Sequence, residues 1–243
     1  MIHLCTGITP NYLPRATPFL DSLVKHANIP VAAFAVDFGS PLYQLPCVMV
    51  DYAKCPLRLP KFMLQTGGFT HFVDWPDGDV VIFTDADAVL QRPFTDEEKQ
   101  RFSSVWAGEF LVGYNMPNQA QTLAQEAPRL SPKMPVDEIE TLWPGIRGMA
   151  CRNFGFVVAR MSAWRKLLAE TIALESLCAF TFDNPARVQF MACYAIQRGG
   201  YVMSGLSPVT HAHGHCGLKD GLTKGEDGLW RQDGEVVAFA HAL

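Results

Sequence analysis

The chain has 243 residues, of which 49% are hydrophobic and 18% charged, a balance that supplies a large core and excludes an intrinsically disordered protein. Its Lys and Arg number 20 against 24 Asp and Glu, a formal net charge of -4, which argues against a protein built to bind nucleic-acid backbone. A membrane-spanning helix needs about 20 consecutive apolar residues, and the best runs, Ile29 to Val36 and Val236 to Ala240, fall far short, so a protein without a transmembrane segment is expected.

The N-terminal stretch Met1-Ile2-His3-Leu4-Cys5 has neither a basic leader nor a long apolar run, so no secretory signal is expected. Cys5, Cys47, Cys55, Cys151, Cys178, Cys193 and Cys216 are scattered, odd in number and never spaced Cys-x-x-Cys. That usage predicts free thiols, as small buried apolar groups, in a reducing cytoplasm. No linker or charge run divides the sequence, and one domain over residues 1–243 is the expectation.

Ile2 to Thr6 reads as a buried first strand closed by Gly7. A helix should follow, with Thr17 as N-cap, Pro18 at its first position, and Leu20, Leu23, Val24 and Ala27 on its apolar face. Val31 to Val36 and Cys47 to Val50 are the second and third strands, stopped by Asp37 and Asp51. The turn Pro76-Asp77-Gly78 launches Val80 to Phe83, an apolar run without alternation, as a central strand buried on both faces requires. Strands alternating with helices predict an α/β fold: a mostly parallel central sheet with helices on both faces.

Between Asn115 and Gly148 five prolines (Pro117, Pro128, Pro132, Pro135, Pro144) suggest a long excursion over the surface, of the kind that serves as a lid. Phe156 to Ala159 resumes as a strand. Ser162 is expected to cap a helix that turns Trp164, Leu167, Leu168 and Ile172 inward. Asp183 and Pro185 should open another, with Val188, Met191, Ala192 and Ala195 inward and Gly199-Gly200 as its stop. The tail carries three histidines, His211, His213 and His215, and the apolar run Val236 to Ala240.

Asp-x-Asp is the sharpest chemical feature, although chance supplies about one such pair in a chain of this composition. Asp77-Gly78-Asp79 is taken as that chance pair. Asp85 and Asp87 differ, because they stand at the C-terminal end of the best-defined buried strand, where open α/β sheets bind their ligands. Carboxylates two residues apart on an extended chain share a side and can hold one divalent ion, and hard oxygen ligands with open positions suit Mg²⁺ or Mn²⁺ on a diphosphate.

With these residues in view, the sequence resembles the GT-A fold, nucleotide-sugar-dependent glycosyltransferases, in particular the glycogenin and lipopolysaccharide galactosyltransferase group. Arg58-Leu59-Pro60-Lys61-Phe62 stands before Val81-Ile82-Phe83-Thr84-Asp85-Ala86-Asp87 as the family's Arg/Lys-bearing helix stands before its Asp-x-Asp strand. Arg152-Asn153-Phe154-Gly155-Phe156-Val157-Val158 is similar to the family's Asn-x-Gly-hydrophobic strand, and Asp183-Asn184 to its acidic motif before a helix. His211-Ala212-His213-Gly214-His215-Cys216-Gly217-Leu218-Lys219 is similar to its closing His-x-x-Gly-x-x-Lys signature, with Lys219 two residues beyond the usual place and the following Pro-Trp missing.

The resemblance implies transfer of a hexose from a nucleoside-diphosphate sugar, a UDP-sugar being the expected donor, to a saccharide or other acceptor hydroxyl. It implies Mn²⁺ or Mg²⁺ held by Asp85, Asp87 and His211 or His213. Thr6, Gly7, Asp37, Arg58, Lys61 and Lys219 would serve the nucleotide within residues 1 to about 110. Asn153 and Asn184 would meet the acceptor in the remainder, and Asp183 would orient its hydroxyl or act as base. Physically, a divalent ion neutralises a leaving diphosphate without proton transfer, and Lys or Arg assists.

Other readings use the same residues. Asp85 could be the nucleophile of a haloacid-dehalogenase-like phosphatase, although such enzymes usually begin with that strand. A sugar nucleotidyltransferase would need a Gly-rich, Arg-bearing loop where Gly7-Ile8-Thr9-Pro10 stands. A non-catalytic sugar-binding module has no need of the acidic pair. His211, His213, His215 and Cys216 could bind zinc by themselves, and His241 is a further candidate ligand that reads more simply as an ordinary terminal residue.

Overall fold

A computed structural model of the chain describes residues 1–42, 45–51, 53, 61–113, 122–182, 184, 187–213 and 221–241. The apolar runs become strands: Ile2–Ile8 (β1), Val31–Val36 (β2), Cys47–Val50 (β3) and Val80–Thr84 (β4). The short Ala88–Leu90 (β5) follows, then Glu109–Val112 (β6), Phe156–Arg160 (β7) and Val202–Gly205 (β8). Seven of these form one sheet in the order β3-β2-β1-β4-β7-β6-β8. Its pairings are parallel except those of β7, which runs antiparallel to both β4 and β6.

Because side chains alternate along a strand, each central strand feeds two cores. From β4, Val80 and Ile82 pack with Ala16, Phe19, Leu20 and Leu23 of the helix Leu13–His26 (α1) and with Phe102 of the helix Asp96–Ser103 (α2). Val81 and Phe83 point the other way. There they meet residues of four helices, Leu123–Leu130 (α3), Val136–Leu142 (α4), Met161–Thr181 (α5) and Arg187–Arg198 (α6). Trp164 of α5 is fully buried under β4 and donates its indole N–H to the Val81 carbonyl at 3.1 Å. The expected mostly parallel sheet with helices on both faces is therefore what forms.

Several local expectations are corrected. The helix α1 begins at Leu13, directly out of a 3-10 turn over Pro10–Tyr12, so Thr17 lies inside it and its hydroxyl bonds back to the Leu13 carbonyl at 2.9 Å. Pro18 is accommodated in the second turn, where it forgoes a single hydrogen bond. Val24 is exposed; Ala16 and Phe19 share the inward face with Leu20 and Leu23. The next long helix, α5, is preceded by Arg160 as N-cap with no side-chain cap, and Thr171 is buried while Ile172 faces outward. Gly199-Gly200 ends α6 as expected, with Gly200 at a φ of +76° and the Tyr201 N–H returning to the Ile196 carbonyl.

The largest correction concerns residues 115–148. Residues 114–121 lie outside the described ones, but 122–148 fold as α3 and α4, and Leu123, Ala127, Leu130, Ile139, Trp143 and Ile146 are fully buried. A capping box between Thr122 and Gln125 starts α3. Pro132 follows α3, Pro135 precedes α4 and Pro144 follows it, while Pro128 lies inside α3, so three of the five prolines punctuate helices, and the spacing of 123, 127 and 130 is that of a helical face. Residues 122–148 therefore contribute to the core instead of running as an irregular excursion over the surface.

The C-terminal region builds two small sheets. Leu222–Lys224 (β10), Trp230–Gln232 (β11) and Glu235–Val236 (β12) form an antiparallel meander whose last turn, Asp233-Gly234, has positive φ at both residues, as a two-residue hairpin demands. The strand His211–His213 (β9) pairs in parallel with Phe239–His241 (β13), which pairs antiparallel with β5. Cys5, Cys47, Cys178 and Cys193 are free thiols among the described residues, in keeping with the thiol usage of the sequence.

Candidate active site

Strand β4 delivers its two acids through tight backbone anchoring. The Asp85 N–H donates to the Gly155 carbonyl at 2.9 Å, and the Thr84 hydroxyl reaches the same oxygen at 3.2 Å. The turn Asp85-Ala86-Asp87 then leads into β5. The decisive element is β13, which lies against β5 with Phe239 opposite Leu90, Ala240 opposite Val89 and His241 opposite Ala88. That register puts His241 beside Asp87: Nε2 is 2.9 Å from Asp87 Oδ1 and 3.9 Å from Asp85 Oδ2. One ligand atom from each of the three residues lies within 4.8 Å of the others.

The electrostatics differ sharply between the two acids. Burial pushes the Asp85 carboxyl up to about 6, with His241 opposing and the neighbouring Asp87 adding to the rise. Asp87 is held down at about 2, first by its hydrogen bond to His241 and further by one from Tyr12, whose hydroxyl donates to Oδ2 at 2.8 Å. The Tyr12 hydroxyl is itself raised to about 12 by burial and by that same carboxylate. His241 is 4% exposed, while the carboxylates at 37% and 39% remain open to solvent. Oxygen and imidazole ligands gathered on one side with an open face suit a divalent ion.

Gly155 explains the Asn-Phe-Gly stretch. A Cβ there would stand 2.2 Å from His241 Cε1 and 2.9 Å from Asp85 Oδ2, so any side chain would displace the site. Asn153 shapes the same turn by accepting the Gly155 N–H at 2.8 Å on its Oδ1. Above the acids a cleft of about 350 Å³ is lined by Gly7, Thr9, Tyr12, Gln65 and the 85–87 turn. Thr6 is buried within β1, so Gly7 and Thr9 face this cleft in its place.

The remaining expected residues divide. Asp37 ends β2 at a φ of 57° and, with Phe38, Gly39 and Asp51, lines a separate cleft at the ends of β2 and β3. The Asn184 carbonyl accepts the Arg187 N–H that opens α6. Arg58, Asp183 and Lys219 lie outside the described residues, as do the side chains of Lys61, which opens a 3-10 helix over Lys61–Thr66, and of His213. Asp77 and Asp79 belong elsewhere: Asp79 pairs with the N-terminal amine and His3, and Asp77 with Arg165, before β4 begins.

Among the described residues, the histidine grouped with the two acids is His241. His211, expected at the ion, stands opposite Phe239 on the outer strand β9 and lies outside the ligand group. Its ring is fully buried against Phe156, with centroids 5.2 Å apart, and lies 5.6 Å from that of His241. His213 is opposite His241 in register. The strand β13 lies between β5 and β9, and its direct pairing with β5 sets His241 beside Asp87. The sequence signal for His241 was the apolar run Val236 to Ala240 just before it, and Tyr12 gave none.

The seven-stranded, mostly parallel sheet with helices on both faces is the GT-A fold, as its likeness to solved structures shows. No protein-family model matches the sequence, and neither does any curated protein. Among solved structures the chain is similar to the galactosyltransferase LgtC in complex with donor and acceptor sugar analogues, at a TM-score of 0.57 and 9% identity over 98% of this chain and 86% of that one. An active-site mutant of LgtC aligns at a TM-score of 0.58 and 11% identity with the same coverage. Among the described residues no helix is long and apolar enough to cross a membrane.

Proposed function

We propose that the chain is a metal-dependent glycosyltransferase that moves a hexose from a nucleoside-diphosphate sugar, with UDP as the expected nucleotide, to a saccharide or other acceptor hydroxyl. The observation that carries this reading is the convergence of Asp85, Asp87 and His241 at the C-terminal end of β4, within a fold shared with a galactosyltransferase. The ligand chemistry fits Mn²⁺ or Mg²⁺, and the imidazole nitrogen favours Mn²⁺. A bound ion would neutralise the charge that builds on the departing diphosphate.

The chain's own residues take the other roles. Gly7 and Thr9 admit the donor close to the β1 backbone, and Asp37 serves the nucleoside end. Arg58, Lys61 and Lys219 supply positive charge to the phosphates. Asn153 and Asn184 contact the acceptor, and Asp183 orients or deprotonates its hydroxyl. On this reading one domain covers residues 1–243, the nucleotide sits on residues 1 to about 110, the acceptor on those that follow, and the protein works in the cytoplasm.

The test is a thermal-shift series with UDP-, GDP- and CMP-sugars, each with and without Mn²⁺, followed by donor turnover. A donor that binds the native state raises the melting temperature. Stabilisation and hydrolysis that require Mn²⁺ and vanish in Asp87→Ala support the reading. Donor turnover that is unchanged in Asp87→Ala, or stabilisation by no nucleotide sugar, sinks it.

A further inference from the structure

Tyr12 stands where the donor cleft and the three-ligand group meet. Its backbone is fixed by the turn after β1, through bonds from the Tyr12 and Leu13 N–H groups to the Thr9 carbonyl at 3.0 and 3.1 Å. Its ring lines the cleft and its hydroxyl donates to Asp87 Oδ2 at 2.8 Å. The other oxygen of Asp87 faces His241 Nε2 at 2.9 Å. Two partners on different elements, α1's leading turn and β13, thus grip the two oxygens of one carboxylate.

An aspartate carboxylate rotates in a broad two-fold well, and Asp87 stands at an open turn with 39% of its side chain exposed. Without a second grip, the oxygen toward Asp85 and His241 would be presented only part of the time. We propose that Tyr12 is a positioning residue of the ion site: by holding Oδ2 it keeps Oδ1 turned toward Asp85 and His241. The inference rests on the metal-dependent reading given above and assigns that site a hydrogen-bonding partner outside the ligands themselves. Tyrosine suits the task, because its ring has two rotatable bonds and its start on a rigid turn costs little further ordering. Such outer partners typically contribute 10–100-fold in metal affinity.

The experiment is Mn²⁺ binding to the full chain without nucleotide, read from the paramagnetic resonance signal of free Mn²⁺, for wild type, Tyr12→Phe, Tyr12→Ala and Asp87→Ala. Tyr12→Phe keeps the ring and removes the donor. It should weaken Mn²⁺ binding by about tenfold or more with an unchanged melting temperature, and Tyr12→Ala should bind Mn²⁺ about as weakly as Tyr12→Phe. Wild-type or tighter affinity in Tyr12→Phe overturns the inference while leaving the metal reading standing. So does a Tyr12→Ala much weaker than Tyr12→Phe, which would assign the effect to ring packing. A wild-type chain that binds no Mn²⁺ overturns both.

Discussion

Asp85→Asn should stabilise the metal-free protein and abolish its response to Mn²⁺, two opposite effects of one near-isosteric change. In the fold the Asp85 carboxyl titrates at about 6 against 3.8 for an ordinary aspartate, because burial and Asp87 outweigh the attraction of His241. At about 1.36 kcal/mol per unit, a rise of roughly two units sets a ceiling near 3 kcal/mol on what the ionised carboxylate costs the fold. Its side chain is still 37% exposed, and solvent screening brings the expected gain of Asp85→Asn to about 1 kcal/mol.

A folded-state value above the unfolded one means that the native state binds the proton more tightly. The carboxylate therefore costs nothing well below pH 3.8, and its cost grows as pH rises toward 6 and levels off above it. Melting in chelator at pH 8 should rise by about 2–4 °C in Asp85→Asn, with about half that free-energy advantage left at pH 5. Saturating Mn²⁺ should reverse the ranking, since the wild type gains stability from an ion that the variant no longer binds. A variant no more stable than wild type at pH 8, or equally advantaged at pH 4 and pH 8, would refute the electrostatic argument. A variant stabilised by Mn²⁺ as much as wild type would refute the ligand assignment.

Four other outcomes are expected. His241→Ala should lose Mn²⁺-dependent donor binding as completely as Asp87→Ala, whereas His211→Phe should retain it; calorimetric titration of the three variants decides. Gly155→Ala should cost about 1–3 kcal/mol in chemical denaturation through overpacking and should impair Mn²⁺ binding, because its Cβ falls 2.2 Å from His241 Cε1; an intact ion site in this variant would contradict the contact. Mn²⁺ affinity should fall with pH below about 6, approaching about tenfold per pH unit, since Asp85 must release one proton to bind while Asp87, held at about 2, stays ionised; a flat profile from pH 5 to 8 would count against it. Residues 122–148 should resist limited proteolysis even without ligand, because Leu130, Ile139 and Trp143 are fully buried; early cleavage there would argue for a loose segment.

The sequence by itself determined the scaffold and half of the site. Val80 to Phe83 is an apolar run without alternation, and a chain that must bury both faces of a strand has few other places for it, so β4 and the acids at its end were legible from local composition. Helix α6 was legible for the same kind of reason, through the spacing of Val188, Met191, Ala192 and Ala195 and the glycine stop behind them. Proline density misled at 122–148, because prolines mark helix boundaries as readily as irregular chain, and only the packing of Leu123, Ala127 and Trp143 tells the two apart. That His241 joins Asp85 and Asp87 was decided by tertiary structure alone. Local sequence favours His211 and His213, two histidines in one short strand, yet among the described residues the histidine beside Asp87 is on the strand that pairs directly with β5. That strand is β13, and its register sets His241 opposite Ala88, some 150 residues away along the chain from its partner Asp87. Strand order is a property of the whole sheet, and no window of residues around a histidine contains it.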